Sequence, residues 1–387
     1  MHGTCNFSTP SHVCNAMPAT MAAPFRARAD VHGPDGAYVV HLDSHGDKTV
    51  ACLSRGNPKV YATTVAGGIQ FEAALEHGGR RTSRASFVDE NVLATSSDED
   101  GCLRIWDLRS QERIMTCEST RGALWCHDVP ADTPMLAAGG DAVLLLWDRR
   151  MAGKPVAERE DAHADAITQV KFHPSRRERL VSAGVDGLIC VTDPRADIGE
   201  DDAVEAIVSA DTSIADFGFF GKKGNRLWVT THIETVQLFK WDGEPASYEP
   251  RTKVDNAREL AAQTWTNAAA SVGRNWEGSI DYLVGCAWDS QDNALYLHAG
   301  NAAGDVVEYP LHKKGALGMP KIVLQGAHTQ VVRSLVKDPC PGIAFVSGAE
   351  DSSICVWSCS GLEQALHGTA YAPERTHKTT QSRHSPY

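Results

Sequence analysis

The feature that most narrows what this chain can fold into is a pattern that recurs in register. Residues 93–107 read LATSSDEDGCLRIWD, residues 135–148 MLAAGGDAVLLLWD, residues 180–193 LVSAGVDGLICVTD and residues 345–357 FVSGAEDSSICVW. Each copy is an apolar stretch, a tight turn holding an aspartate, and a second apolar stretch. The second stretch ends at tryptophan in three copies and at Thr192 in the fourth. Asp100, Asp141, Asp186 and Asp351 all stand six residues before that position. The stretches are rich in β-branched and other apolar residues, as expected of half-buried strands. A single strand pair of this kind cannot bury its apolar face. Stacked neighbours can, so the spacing predicts a repeat architecture of side-by-side sheets.

The fullest copy opens earlier, at His163, and runs through the strand Ile167-Thr168-Gln169-Val170-Lys171-Phe172 and the turn His173-Pro174-Ser175. That unit resembles a WD repeat, the blade of a β-propeller. Four segments narrow the resemblance: DAVLLLWDRRM (141–151), ITQVKFHPS (167–175), VSAGVDGL (181–188) and DYLVG (281–285). In that order they are similar to the WD repeat-containing protein 89 family, eukaryotic propellers, over roughly residues 35–358. The resemblance implies an all-β, seven-bladed WD-repeat propeller.

The expected organisation is a disordered leader at 1–34, a propeller at 35–368 and a disordered polar tail at 369–387. Blade one is degenerate, with Tyr61-Ala62-Thr63 where Trp-Asp would close it. Blade five ends at Trp241-Asp242. An insertion at about 243–280 separates it from blade six and carries a short helix that Asp255 can cap, with Ala257, Leu260, Ala261 and Trp265 on one face. Blade one has no outer strand ahead of it. The segment Gly361-Leu362-Glu363-Gln364-Ala365-Leu366-His367 is expected to supply one and close the ring. Arg26 and Arg28 give the leader a faint transit-peptide character, without an Arg-rich amphipathic helix.

Within a repeat, His163, Ser182 and Asp186 are spaced to form a buried polar chain, the hydroxyl joining imidazole to carboxylate. His328, Ser347, Asp351 and Trp357 make the most complete set of this kind. Their expected role is to brace a blade. The sequence holds no Gly-x-Ser-x-Gly elbow, His-Glu-x-x-His pair, Walker loop or dinucleotide fingerprint. Cys5, His12 and Cys14 lack a fourth ligand at metal spacing. No catalytic residue, cofactor or metal is therefore expected, and a propeller enzyme is the weakest of three readings.

The net charge of −12 disfavours direct nucleic-acid binding and favours basic protein partners. No apolar run approaches the length of a membrane span. The 11 cysteines are odd in number and form no Cys-x-x-Cys pair. Cys52, Cys102, Cys190, Cys286 and Cys355 fall inside strands, as small apolar residues do. A reducing compartment is expected, cytoplasmic or nuclear, and the propeller is expected to be monomeric.

Two surface features carry functional expectations. Trp106-Asp107-Leu108-Arg109 and Trp147-Asp148-Arg149-Arg150 share the form Trp-Asp-x-Arg. In WD proteins that recruit substrates to cullin-RING ubiquitin ligases, such an arginine contacts the adaptor, damaged-DNA-binding protein 1. The resemblance thus implies Trp106, Asp107, Arg109, Trp147, Asp148 and Arg150 as adaptor-binding candidates. The loop after blade four holds Asp197, Glu200, Asp201, Asp202 and Glu205, an acidic run suited to a basic partner. The broader reading is a non-enzymatic interaction scaffold, a stiff ring whose loops offer docking sites.

Overall fold

The computed structural model describes residues 21–22, 25–31, 33–66, 68–151, 153–196, 203–241, 248–272 and 279–358. Seven sheets, antiparallel but for one short strand added to the sixth, make a seven-bladed β-propeller with one α-helix between blades five and six. Blade two shows the plan: Arg84–Phe87 innermost, then Val92–Ser96, Cys102–Asp107 and, outermost, Glu112–Glu118. The second and third strands are the apolar stretches of the sequence repeat. In blade three they are Met135–Gly139 and Leu144–Asp148, in blade four Arg176–Gly184 and Leu188–Thr192, and in blade seven Ile343–Ala349 and Ser353–Ser358.

The core lies between blades. Leu103 and Ile105 of blade two meet Val129, Leu136, Leu145 and Trp147 of blade three in one buried cluster. Val181, Ile189 and Val191 of blade four likewise meet Phe217, Leu227 and Phe239 of blade five. Strands buried on both faces explain why the repeats read as nearly continuous apolar runs.

Ring closure differs from the expectation. Blade one has its own outer strand, Gly68–Ala74, beside Lys59–Thr64. The blade short of a strand is the seventh, and the N-terminal segment fills the gap. Phe25–Asp30 pairs antiparallel with Ser353–Ser358, with Ala27 opposite Val356 and Ala29 opposite Ile354. The propeller therefore begins before residue 35, inside the segment read as a leader. Small Ala27 and Ala29 sit within the sheet pairing while Arg28 turns to polar partners. Its Nη1 donates to the Ala327 carbonyl at 2.9 Å and its Nη2 lies 3.4 Å from Asp351. Met21–Ala22 adds a short parallel strand to blade six. The 361–367 segment lies outside the described residues.

The insertion is shorter than expected, because Tyr248–Val254 is the outer strand of blade five. The helix spans Ala257–Val272. Its first intrahelical bond runs from the Leu260 amide to the Asn256 carbonyl, so Asn256 rather than Asp255 holds the capping position. The Asp255 carboxylate instead pairs with Lys253 at 3.1 Å. Ala257, Ala261 and Trp265 are buried against blades five and six, and Leu260 is half-buried beside them. The Tyr309 hydroxyl donates to the Ala261 carbonyl at 3.1 Å.

Candidate functional site

Blade seven contains a continuous polar relay. Trp357 Nε1 donates to Ser347 Oγ at 2.8 Å, and that oxygen lies 2.8 Å from His328 Nε2. His328 Nδ1 is 3.2 Å from Asp351 Oδ1. Indole can only donate and carboxylate can only accept, so the serine proton points to Nε2 and the imidazole proton to Asp351. Asp351 also accepts the Thr329 amide at 2.9 Å, tying the loop before the blade to the turn inside it. Burial pushes this carboxyl up, but hydrogen bonds from His328, Ser353 and the Thr329 amide outweigh that. They hold it well below the usual range.

Blade four has the same arrangement without the indole. His163 Nε2 lies 2.8 Å from Ser182 Oγ, and Nδ1 lies 3.0 Å from Asp186 Oδ2. The order corrects the sequence reading: the imidazole, with two opposed ring nitrogens, joins hydroxyl to carboxylate. Thr192 occupies the tryptophan position, so Ser182 has one fewer partner to hold. In blade three, Trp147 joins no such relay. Its Nε1 donates to the Gly153 carbonyl at 3.1 Å.

Blade two holds a third relay that the sequence reading missed. His77 Nε2 lies 2.7 Å from Thr95 Oγ1, which also accepts Trp106 Nε1 at 2.8 Å. Here Arg104 stands between imidazole and carboxylate. Its Nη1 donates to His77 Nδ1 at 3.3 Å, and its guanidinium pairs with Asp100, which Arg80 also contacts at 2.8 Å. Nδ1 must accept from arginine, so the proton sits on Nε2, the tautomer opposite to that of His328. Burial, then the Arg104 charge, push the His77 pKa down to about 3. The signal was present in the spacing: His77 precedes Trp106 by 29 residues, as His328 precedes Trp357.

A buried ionic cluster joins blades six and seven. Glu308 lies 2.9 Å from His298 Nε2 and 3.0 Å from Lys337 Nζ. Lys337 also lies over the rings of Tyr296 and Phe345, at 4.7 and 5.0 Å. Burial raises the Glu308 carboxyl, yet the His298 hydrogen bond and the neighbouring Lys337 ammonium bring it below its ordinary value. No periodic signal marks this cluster, because its three members come from separate strands.

The two Trp-Asp-x-Arg segments reach the same face of the ring, one blade apart. Arg109 Nε and Nη2 donate to its own Asp107 at 3.1 and 2.9 Å. Arg150 Nε donates to Asp148 at 2.9 Å. Both arginine side chains remain exposed, at 72% and 73%. The arginines hold Asp107 and Asp148 down to about 2. The tryptophans are not part of this surface, since Trp106 and Trp147 are buried. Blade four repeats the device with Asp193 and Arg195, the Arg195 amide donating to Asp193 Oδ1 at 2.9 Å and its side chain 64% exposed. This third copy reads Thr192-Asp193-Pro194-Arg195, without the tryptophan that marks the other two. A cavity of about 300 Å3 lies between blades two and three, lined by Val88, Val92, Ile105, Val129, Leu136 and Arg149.

Of the acidic run, Asp197, Glu200, Asp201 and Asp202 lie outside the described residues. Glu205 is not a loop charge. It sits in the outer strand Val204–Ser209, its side chain 20% exposed and 2.6 Å from Arg179. Strand pairing turns it toward that arginine instead of solvent.

Seven blades, one of them braced by a full Trp–Ser–His–Asp relay and two by variants of it, define a class, and the comparisons agree. The WD domain, G-beta repeat model matches residues 153–193 and 319–358. The chain belongs to the WD-repeat protein family. It is 33% identical to WD repeat-containing protein GTS1 of Arabidopsis thaliana, over 79% of this chain and 77% of that protein. It is 25% identical to the WD repeat-containing protein 89 homolog of Dictyostelium discoideum, over 92% of this chain and 94% of that one. In fold it is similar to a chain of the crystal structure of the mitotic checkpoint complex. The TM-score is 0.63 and the identity 15%, covering 92% of this chain and 99% of that chain. WD-repeat propellers mediate protein interactions and are typically non-enzymatic.

Proposed function

We propose that this propeller is a non-enzymatic platform for protein–protein interaction, and that the face carrying Arg109, Arg150 and Arg195 is a docking face. The row of clamped, exposed guanidiniums in three consecutive blades carries the reading. Arg109 uses two of its five N–H donors on Asp107, which leaves three aimed outward at little further entropic cost. A ring of fixed blades keeps the row in register. Arg109→Ala with Arg150→Ala and Arg195→Ala is expected to leave folding within about 0.5 kcal/mol and to remove the partners that wild type co-purifies. An unchanged partner set would reject this face.

A second, finer reading is favoured by Arg109 and Arg150 being exposed instead of sealed in their ion pairs. It makes the chain a substrate receptor that binds damaged-DNA-binding protein 1. Titration of that purified adaptor onto wild type and the Arg109→Ala/Arg150→Ala variant decides it. Failure of wild type to bind removes the receptor role and leaves the platform. The net charge of −12 and the acidic run at 197–202 support a basic partner. Replacing Asp197, Glu200, Asp201 and Asp202 with Asn or Gln should then flatten the salt dependence of that binding. Free cysteines, with the thiols of Cys52, Cys117, Cys126, Cys190 and Cys355 buried, support a reducing cytoplasmic or nuclear setting.

A further inference from the structure

A cavity of about 550 Å3 lies between blades five and six, outside the three blades that carry the arginine row. Blade six comprises Tyr282–Asp289, Ala294–Gly300, Val306–Leu311 and Ile322–Leu324. Phe220, Trp288, Leu295, Pro310 and Leu311 line the cavity, and the Phe220 and Trp288 ring centroids are 5.9 Å apart. An apolar hollow with two aromatic walls suits one large apolar side chain. Its rim is basic. Lys313 and Lys314 are exposed and form no ion pair with a described residue. The Arg226 guanidinium lies 5.9 Å from the Phe220 ring, whereas the turn at Lys222–Gly224 faces blade four, its Lys223 carbonyl accepting Ser175 Oγ at 2.6 Å. The nearby carboxylates are engaged. Asp292 holds Lys321 at 2.6 Å, and Asp289 accepts the Gln291 and Asp292 amides.

The lysine loop is held in place. The His312 amide donates to the Ala316 carbonyl at 2.9 Å, and the Lys313 carbonyl accepts Thr252 Oγ1 at 3.1 Å. Gly315 has φ +80° and lies so close to Thr252 and Val254 that a Cβ would come within 2.6 Å of the threonine methyl. Only glycine fits there, which fixes the two lysines beside the apolar opening.

We infer that this cavity is a docking pocket for an acidic protein segment that inserts one large apolar side chain, flanked by carboxylates that meet Lys313 and Lys314. The inference rests on the platform reading and names a second surface and its partner chemistry. Charge selects the occupant. On a chain of net charge −12, the three cations Lys313, Lys314 and Arg226 favour a short anion that stays within about 10 Å, the screening length at 0.1 M salt. A long polyanion would extend over the acidic remainder. Residues 1–20 carry no Asp or Glu, and residues 359–387 hold two acidic against three basic residues, so neither segment supplies the ligand.

The test uses the full chain on an array of heptapeptides whose central residue is Phe, Trp, Leu or Ala, flanked by Asp/Glu or by Lys/Arg. Retention on acid-flanked aromatic peptides is expected to exceed that on alanine-centred and lysine-flanked ones at least tenfold. Lys313→Glu/Lys314→Glu should abolish the difference. Ala316→Trp, an exposed position at the mouth, should block the pocket without loading the core. Equal retention of all flanks, or retention unaffected by Ala316→Trp, would overturn the inference. So would capture of a single-stranded RNA 12-mer that needs the lysines but survives Ala316→Trp. Binding that emerges only after Asp197, Glu200, Asp201 and Asp202 are neutralised would assign the pocket to the chain's own loop and overturn it too. If Ala316→Trp keeps every co-purifying partner of wild type, the pocket falls while the platform stands.

Discussion

Replacing Ser347 by alanine removes one oxygen and strands two buried groups. Ser347 is fully buried, and its Oγ holds both Trp357 Nε1 and His328 Nε2 at 2.8 Å. A buried donor or acceptor left unpaired costs about 1–3 kcal/mol, so the pair costs about 2–6 kcal/mol. Ser182, equally buried, has only the His163 ring on its oxygen, and Ser182→Ala should cost about 1–3 kcal/mol. The lost volume is one hydroxyl in both cases, so cavity terms cancel in the comparison. Calorimetry should show the Ser347→Ala melting temperature falling about twice as far as that of Ser182→Ala. A control isolates the indole. On a Trp357→Phe background, which has no N–H to strand, Ser347→Ala should shrink to about the Ser182→Ala value. Equal losses for the two serines, or no shrinkage on the phenylalanine background, would refute the account of the relay.

Three further outcomes follow from the geometry. Deleting residues 1–30 removes the outer strand of blade seven and should give aggregates or exchanged oligomers by size exclusion, whereas Arg28→Ala alone should cost under about 1 kcal/mol because its ion pair is half-exposed; a monomeric, equally stable deletion would contradict this. Lys337→Met leaves Glu308 and His298 buried without their cation and should destabilise by about 3–5 kcal/mol, so a melting curve shifted by less than a degree would sink the claim. The His77 pKa is lowered to about 3, so between about pH 6.5 and 3 the unfolded chain binds a proton that the native chain refuses. Stability from this group is thus complete above about pH 6.5 and falls by about 1.4 kcal/mol per unit as pH drops; His77→Gln should reduce the slope of stability against pH by that amount, and an unaltered slope would count against it.

The blades were legible because their signal is local and repeated. A strand, a turn aspartate and a second strand lie within some 15 residues, and burial on both faces keeps them apolar. The closing strand was not legible, because Phe25–Asp30 has no partner within its own neighbourhood. Its six residues alternate only weakly, and two arginines made it look like a leader. The outer strand Tyr248–Val254 was lost for a related reason. Exposed outer strands carry Glu249, Arg251 and Lys253, and read as loop. In the site, His328 and His163 stood out because a recognisable turn aspartate follows them. His77 carried the same spacing to its turn aspartate, Asp100, and was passed over; only Arg104, standing between the two, was beyond the sequence. The arginine row was two-thirds visible through Trp106 and Trp147, while Arg195 became visible only once strand ends could be aligned in space.

The pairing of Phe25 with Trp357 joins positions 332 residues apart (357 − 25), and this sets an order of events during synthesis. The strand that completes the ring leaves the ribosome long before its partner. At equilibrium so long a loop is a mild burden, since each doubling of length adds only about 0.6 kcal/mol. Kinetically it is decisive. No blade arrangement formed on a partial chain can be a closed ring, and each carries an unpaired sheet edge until translation has passed residue 358. The nascent protein is therefore most exposed to association with other chains just before residues 353–358 are made. A stall or truncation shortly before residue 353 should be more hazardous than one in the middle blades, where fewer finished blades stand open.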